Sequence, residues 1–244
     1  MGDTLLKVKG FDLDGGIRRL FSLTDQAAKF VWAGRAETDG VLGRGTAYSF
    51  EKSKKHGDSM GLAAEAIRFS ANYEINFTAF HKNLFDRLGL TSRHSWEELD
   101  LEFLKISHLF DREEGVIGIV KLLKENNIRM GVVSNSFHGG KSLEWMLEQA
   151  GIKDYFEFLI SSADYGFRKP HPEIFETAIA RLGVDREKVW FVGDKPEADI
   201  AGAKNAGITA IWYNADNEPP CQPEPDMTVT NWADFAQIIC RLHN

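Results

Sequence analysis

The chain has 244 residues, of which 43% are hydrophobic and 27% charged, a composition typical of a soluble globular protein with a full core. Its formal net charge of −7 argues against a nucleic-acid-binding surface, because phosphate backbones bind clustered lysine and arginine side chains. The two cysteines, Cys221 and Cys240, are too few for a disulfide framework, and their spacing fits no zinc motif. No signal-like N-terminus or long apolar run is present, so we expect a cytoplasmic protein that binds neither membrane nor nucleic acid.

A first strand is predicted within residues 5–17, whose sequence is LLKVKGFDLDGGI. Apolar residues alternate with lysines there, and the pattern stops at two glycines. The strand would deliver Asp12 and Asp14 to its carboxyl end, on one face if the extended conformation lasts. Gly15 and Gly16 would allow a sharp turn that brings backbone N–H groups close to a ligand. Taken alone, such a motif is more often an ordinary strand followed by an acidic turn, so the rest of the chain must decide.

Between residues 18 and 110 the pattern changes to helical spacing. The predicted helices in this stretch cover 24–36, 60–73, 78–88 and 95–109. In the last of them, Ser95 and Glu98 form a potential capping box. We therefore predict an all-helical domain over residues 18–110, inserted into a core domain formed by residues 1–17 and 111–244.

From residue 114 onward, predicted helices and strands alternate. The predicted helix and strand pairs are 115–126 with 128–133, 141–150 with 156–160, 172–182 with 189–193, and 197–206 with 208–212. A short strand at 227–230 and a helix from Trp232 follow. The main strands are apolar on both faces, which indicates a parallel sheet covered by helices on each side. Three helices end in glycine followed by an apolar residue, at Gly151, Gly183 and Gly207. The predicted fold class is therefore α/β, with a doubly wound parallel sheet.

Polar residues follow four of the predicted strands, at the edge where open parallel sheets bind ligands. They are Asp12 and Asp14 after the first strand, Ser134 and Asn135 after the second, Lys169 after the third, and Asp194 with Asp199 after the fourth. Each has a structural interpretation of its own, such as a helix cap or a solvated lysine. Helix caps and solvated side chains explain each residue separately, but they do not explain why all of these residues lie at one edge. We therefore predict a functional site there.

The charges of this set indicate a cation. Asp12, Asp194 and Asp199 would bring three negative charges together, and a unit pair at about 4 Å is worth about 4 kcal/mol at an effective dielectric constant of about 20. One lysine does not balance them, whereas a divalent cation does. An all-oxygen set without histidine or cysteine favours Mg²⁺, which would also screen an attacking carboxylate from a phosphoryl group.

The same residues resemble the motifs of the haloacid dehalogenase-like (HAD) hydrolases. The matching positions, in order, are Phe11 to Gly15 for motif I, Ser134 for motif II, Lys169-Pro170 for motif III, and Gly193-Asp194 with Asp199 for motif IV. The resemblance covers residues 5–17 and about 115–213. It implies a Rossmann-like core, and a helical cap of the type inserted after motif I fits residues 18–110.

The resemblance also implies a mechanism. Asp12 would attack phosphorus to give an aspartyl-phosphate, and Asp14 would protonate the leaving oxygen and then accept a proton from water. The residues implied to hold the substrate phosphate are Leu13, through nearby backbone N–H groups, Ser134, Asn135 and Lys169. Dehalogenase members lack an acid at the position of Asp14, so phosphoryl chemistry is favoured here.

The implied magnesium ligands are the Asp12 carboxylate, the Asp14 backbone carbonyl, Asp194, and Asp199 acting directly or through water. The leading hypothesis is therefore a phosphoric monoester hydrolase that acts on a small phosphorylated metabolite. One departure is Gly16, where the family usually has threonine or serine to orient motif I. A phosphosugar mutase on the same site and a non-catalytic phosphate-binding or partner-binding protein stay open as alternatives.

The sequence leaves the substrate and the oligomeric state open. Several residues of the loop after motif I and the predicted cap could meet an anionic substrate, although each is equally an ordinary surface residue. These residues are Arg18, Arg19, Arg35, Arg44 and His56. His138 and His171 are interpreted as loop or helix-capping residues.

Overall fold

The computed structural model describes residues 4–25 and 73–242, with the side chain of Asp14 excepted. The helices and strands are, in chain order, β1 Leu6–Phe11, α1 Leu13–Ser22, α2 Phe77–Leu88, α3 Trp96–Ser107, β2 His108–Arg112, α4 Val116–Glu125, β3 Gly131–Ser134, α5 Gly140–Gln149, β4 Phe158–Ser161, α6 Ser162–Tyr165, α7 Pro172–Leu182, β5 Trp190–Gly193, α8 Ala201–Asn205, β6 Thr209–Tyr213, β7 Met227–Val229 and α9 Trp232–Leu242. Short 3₁₀ turns occur at Lys153–Tyr155 and Arg186–Lys188. The predicted helices 24–36 and 60–73 lie almost wholly outside the described residues.

The described strands form three small sheets instead of the single sheet that was predicted. β3 and β4 pair in parallel, and β5, β6 and β7 form a second parallel sheet in that order. β1 pairs with β2 in an antiparallel ribbon, with an irregular register between Val8 and Gly10. The parallel α/β units are therefore present, but the described strands do not join into one doubly wound sheet.

A cavity of about 580 Å³ lies between the two parallel sheets. It is lined by Val132 and Val133 of β3 and by Phe191 and Val192 of β5, and Thr4, just before β1, reaches it. No residue of β1 lines this cavity, although Leu6 is fully buried in the hydrophobic cluster beside it, and β1 pairs with β2. The sequence predicts a helix for the first part of β2, so it does not predict that β1 pairs with β2.

The junction of β1 and α1 corrects the prediction of an extended run to Gly15. β1 ends at Phe11, and α1 begins at Leu13. Asp12 lies between them as the N-cap, where its Oδ1 accepts a hydrogen bond from the Gly15 backbone N–H at 2.8 Å. Gly15 and Gly16 are consequently inside a helix and do not form a sharp turn. The strand therefore does not carry Asp12 and Asp14 out on one extended face.

The helix predicted over residues 95–109 is also shorter than expected. α3 ends at Ser107, and the chain continues as β2 from His108. Its start is confirmed: Ser95 Oγ accepts from the Glu98 backbone N–H at 3.2 Å, and Glu98 Oε2 accepts from the Ser95 backbone N–H at 2.8 Å. Leu109, which the helical pattern placed near the buried face, is 66% exposed on β2.

The later α/β units follow the predictions closely, with no boundary shifted by more than three residues. One exception is the predicted helix 197–206, which divides into a π-helical turn, Pro196–Ile200, and the short α8. The three glycines predicted to end helices have φ values of 67°, 61° and 67°, at Gly151, Gly183 and Gly207. Ile152 and Ile208 pack back into the core after them, whereas Val184 is 38% exposed.

Three hydrophobic clusters stabilise the described fold. Two surround the parallel sheets, and the third joins α1, α2 and α3 through Leu20, Phe77, Phe85, Leu99 and Phe103 and includes Leu90 from the segment after α2. The predicted domain boundaries, after residues 17 and 110, fall inside α1 and β2 respectively. The division into core and cap stays a prediction. Among the helices of the described ranges, none has the length and apolarity to cross a membrane.

Candidate active site

A buried ion pair lies at the ends of β3 and β5. Lys169 Nζ is 2.7 Å from Asp199 Oδ1, and the two side chains are 6% and 5% exposed. The same ammonium donates to the backbone oxygen of Val133 at 3.1 Å and lies 5.2 Å from the centre of the Phe191 ring. Lys169 is therefore fixed at the sheet edge where the sequence places it.

Asn135 fixes the backbone of Lys169. Its Nδ2 donates to the Lys169 carbonyl oxygen at 2.9 Å, and its Oδ1 accepts from the Lys169 backbone N–H at 2.7 Å. Ser134, the preceding residue, ends β3 and is 4% exposed. The structure thus brings together three of the predicted phosphate-binding residues, Ser134, Asn135 and Lys169.

Asp199 is ionised in this environment. Burial raises the pKa of its carboxyl group, but the charge and hydrogen bond of Lys169 and the Lys195 backbone N–H, 3.0 Å from Oδ2, outweigh burial, so the pKa lies below its ordinary value. Gly193 makes room for this carboxylate, because an added Cβ would lie 2.4 Å from the Asp199 carboxyl carbon. Both oxygens of Asp199 are consequently engaged by the protein.

The two carboxylate oxygens of Asp194 contact Thr4 and Lys195. Its Oδ1 accepts from Thr4 Oγ1 at 2.6 Å, and its backbone oxygen accepts from Trp212 Nε1 at 3.2 Å. Its Oδ2 is buried and accepts no hydrogen bond within the described residues, but it forms an ion pair with Lys195 Nζ at 3.0 Å. The Asp194 carboxylate therefore already has a cationic partner.

Asp12 lies apart from this cluster. Its side chain is exposed, and its backbone N–H donates to the Ser107 carbonyl oxygen at 2.7 Å. Leu5 and the six residues of β1 separate it from Thr4, which touches Asp194. Six extended residues span about 20 Å, so the structure does not bring Asp12 to Asp194. Leu13 begins α1 beside Asp12 and is 41% exposed.

The predicted magnesium ligands do not form a metal site in this arrangement. Among the described side chains, no group of three carboxylate, imidazole or thiol ligands lies close enough together to hold a metal ion. The carboxylate donors of Asp12 and Asp194 are of the chemical type that Mg²⁺ prefers, although Asp194 Oδ2 is paired with Lys195. Asp199, however, is paired with Lys169, and Asp12 lies far from Asp194.

A second buried polar cluster was not predicted. Asp100 of α3 and His138, in the loop after β3, are 4% and 6% exposed, and His138 Nδ1 lies 2.5 Å from Asp100 Oδ1. The sequence contains a usable pattern for it: Asp100 lies three residues before Phe103 and four after Trp96, on the apolar face of α3. An acid at such a position requires a buried partner.

Two further histidines lie beside this cluster. Burial lowers the pKa of His81 to about 3, and His81 Nδ1 lies 3.1 Å from the Phe77 backbone oxygen. Burial also lowers the pKa of His108 to about 4, and its ring centre lies 4.9 Å from that of His138. Both imidazoles are therefore neutral at pH 7.

A family model described as haloacid dehalogenase-like hydrolase matches residues 10–207. The pyrimidine 5'-nucleotidase YjjG of Escherichia coli (strain K12) is 35% identical over 159 residues, which are 60% of this chain and 69% of that protein. The glyceraldehyde 3-phosphate phosphatase of Pyrococcus abyssi (strain GE5 / Orsay) is 28% identical over 212 residues, which are 86% of this chain and 82% of that protein.

Two solved structures cover nearly the whole chain. The HAD phosphatase from Thermococcus onnurineus has a TM-score of 0.62 and 21% identity, covering 98% of this chain and 94% of that one. The 2-haloacid dehalogenase from Pseudomonas syringae pv. Tomato DC3000 has a TM-score of 0.64 and 23% identity, covering 99% and 96%. These likenesses confirm the α/β fold, and since a phosphatase and a dehalogenase share it, the fold alone does not separate the two activities.

Proposed function

Because the chain belongs to the haloacid dehalogenase-like hydrolase family, we propose that it is a cytoplasmic, Mg²⁺-dependent phosphatase acting on a small phosphorylated metabolite through an aspartyl-phosphate. The predicted enzyme class, a phosphoric monoester hydrolase, agrees with relatives named as a nucleotidase and a phosphatase. The observation that carries the proposal is the buried Lys169 ammonium beside Ser134 and Asn135.

Lys169 supplies the positive charge for the substrate. Its ammonium uses two of its three donors on Asp199 and Val133, so the third would be the one that reaches a phosphoryl oxygen. The Val133 carbonyl oxygen accepts a hydrogen bond from the ammonium, and Asn135 holds the backbone of Lys169. The Ser134 hydroxyl, at the end of the neighbouring strand, would donate to a second phosphoryl oxygen.

Asp12 is the proposed nucleophile. Its carboxylate oxygen would bond to phosphorus while the ester oxygen leaves with a proton from Asp14, and water would then cleave the aspartyl-phosphate. Because Asp12 lies on the ribbon of β1 and β2, the start of α1 must approach Lys169 before this step. Magnesium dependence is supported by the carboxylate chemistry of Asp12, Asp194 and Asp199.

Gly16 was the reason for keeping a non-catalytic protein as an alternative, and the structure provides a packing reason for it. An added Cβ would lie 2.7 Å from a carbon of the Phe103 ring. The glycine lets α1 pack closely on α3, so its presence does not by itself indicate a lost activity.

The test is phosphate release from a panel of phosphate monoesters, with and without Mg²⁺. The panel includes a pyrimidine nucleoside 5'-monophosphate and glyceraldehyde 3-phosphate, which the relatives' names suggest. Asp12→Asn should lower the rate by about three orders of magnitude or more. Asp111→Asn, an exposed change on β2, serves as the matched control and should keep full activity.

The outcomes separate the hypotheses. Full Mg²⁺-dependent turnover by Asp12→Asn would exclude the proposed nucleophile. Isomerised sugar phosphate with little free phosphate would indicate a mutase, and phosphate binding without turnover would indicate a non-catalytic protein.

A further inference from the structure

Asp100 and His138 join α3 to the loop that follows Ser134. Their side chains are 6% and 7% exposed, and the 2.5 Å contact between them crosses 38 positions of sequence. A carboxylate at such a site is costly unless it is hydrogen-bonded on both oxygens. The loop supplies the required donors, which makes this pair a specific connection between two distant segments.

Asp100 also caps α5. The N-cap residue of α5, Gly139, has no side chain to accept a hydrogen bond. Asp100 Oδ2 instead accepts from the Gly139 backbone N–H at 2.7 Å and from Ser142 Oγ at 3.0 Å. A negative charge at this end is favoured by the helix dipole. The beginning of α5 is therefore held by a residue of α3, together with Asp164, whose Oδ2 accepts from the Gly140 backbone N–H at 2.8 Å.

His138 fixes the rest of the loop. Its backbone N–H donates to Ser136 Oγ at 3.0 Å, and its carbonyl oxygen accepts from Ser161 Oγ, at the end of β4, at 2.6 Å. The Phe137 carbonyl oxygen accepts from the Phe77 backbone N–H, at the start of α2, at 2.8 Å. These contacts hold residues 135–139 from three sides.

The same loop is linked to both halves of the proposed site. On one side, Asn135 holds the backbone of Lys169 through two hydrogen bonds. On the other side, His108 lies against the His138 ring and bonds to Ser107, whose carbonyl oxygen accepts from the Asp12 backbone N–H. A shift of the loop would therefore move the phosphate-binding residues relative to the segment that carries Asp12.

We propose that Asp100 is a positioning residue for phosphate binding. It touches no reacting atom, but it holds the loop in the one conformation that places Ser134, Asn135 and, through Asn135, Lys169 around a phosphoryl group. The inference rests on the proposed function. Displacement of such groups by about 1 Å is enough to lower a rate by about two orders of magnitude.

The test compares Asp100→Asn with Glu97→Gln. Asparagine keeps the shape of Asp100 but removes the charge. Its NH₂ group replaces one of the two carboxylate oxygens, so a donor would face another donor there, either the Gly139 N–H or the His138 Nδ1–H. Glu97 is the matched control, because it also lies on α3 and contacts α5, through Lys141 at 3.1 Å, but on the exposed surface. Three quantities are measured for each protein: the affinity for inorganic phosphate by calorimetry, the amide exchange rates of residues 135–142, and kcat for monoester hydrolysis.

We expect Asp100→Asn to lower the phosphate affinity and kcat by about tenfold or more each, with faster amide exchange confined to the loop and the start of α5. Glu97→Gln should stay within about twofold of the wild type. A folded Asp100→Asn protein with wild-type phosphate affinity and kcat would overturn the proposal. A general destabilisation would accelerate exchange throughout the chain, and that result would also count against a positioning role.

Ser142→Ala provides a second variant if Asp100→Asn does not fold. It removes one of the hydrogen bonds to Asp100 and should give a smaller loss in the same direction. Wild-type values in Ser142→Ala would then overturn the proposal. A wild-type protein that binds phosphate but hydrolyses no ester would refute the proposed function, while the affinity and exchange data would still decide the role of Asp100. A wild-type protein that does not bind phosphate would refute both.

Discussion

Lys169 and Asp199 lie 2.7 Å apart, nitrogen to oxygen, and each of their side chains is more than nine-tenths buried. The pair unites the segment after β4 with the turn after β5, and so joins the two parallel sheets across the cavity between them. Since burial removes both charges from water, each is the main stabilising partner of the other.

Asp199→Asn should lower the free energy of unfolding by about 3 to 5 kcal/mol, because Lys169 would remain buried without its counter-charge. Urea denaturation at neutral pH measures the change. Asp185→Asn breaks an ion pair with Lys188 in which both side chains are more than two-thirds exposed, and it should leave the stability unchanged. Equal effects of the two substitutions would mean that the Lys169 pair is accessible to water.

Acid should destabilise the fold through its buried histidines. The pKa is lowered to about 3 at His81 and to about 4 at His108, against an ordinary value of about 6.5. Between these values and about 6.5 the unfolded chain binds protons that the folded chain does not, so stability is lost as the pH falls below about 6.5. Each group contributes up to about 1.4 kcal/mol per pH unit.

Urea denaturation at about pH 7, 6 and 5 measures this slope. His81→Asn should reduce it by the contribution of one proton. Phe85→Leu, a core change in the same helix without a titrating group, should lower the stability by the same amount at every pH. A slope that is unchanged in His81→Asn would show that His81 titrates normally in the folded state.

The two roles of Asp12, as nucleophile and as N-cap of α1, should respond differently to substitution. Asn is as good an N-cap as Asp, so Asp12→Asn should abolish turnover with little loss of stability. Asp12→Ala should abolish turnover and also lower the free energy of unfolding by about 1 kcal/mol, because the Gly15 N–H loses its acceptor. Thermal unfolding and phosphate release are measured in parallel. Equal stability of the two variants would show that Asp12 does not cap α1.

Gly16→Thr, which introduces the usual family residue, should destabilise the protein by about 1 to 3 kcal/mol through overpacking against Phe103. Replacing Phe103 with leucine in the same protein should recover part of the loss. Gly118→Ala in α4 is the control, since an added Cβ there meets no atom within 4 Å, and it should raise the stability by up to about 1 kcal/mol. Chemical denaturation compares the three proteins, and an undiminished stability of Gly16→Thr would contradict the close packing of α1 on α3.

The sequence by itself determined the α/β units after residue 114, the glycine helix ends and the capping box of Ser95 and Glu98. Each depends on residues that are close together in the chain, so a short window contains all the information. It also indicated Ser134, Asn135 and Lys169, because the carboxyl ends of parallel strands lie at a common edge.

Only the tertiary structure decided which strand β1 pairs with, and therefore where Asp12 lies. Strand pairing is a contact between distant segments, and local periodicity does not choose between two possible partners for β1. The same reason applies to the bond between Asp100 and His138, 38 positions apart. Whether a polar side chain is a solvated surface group or a buried, hydrogen-bonded one depends on what folds over it, and that is decided only when the whole chain packs.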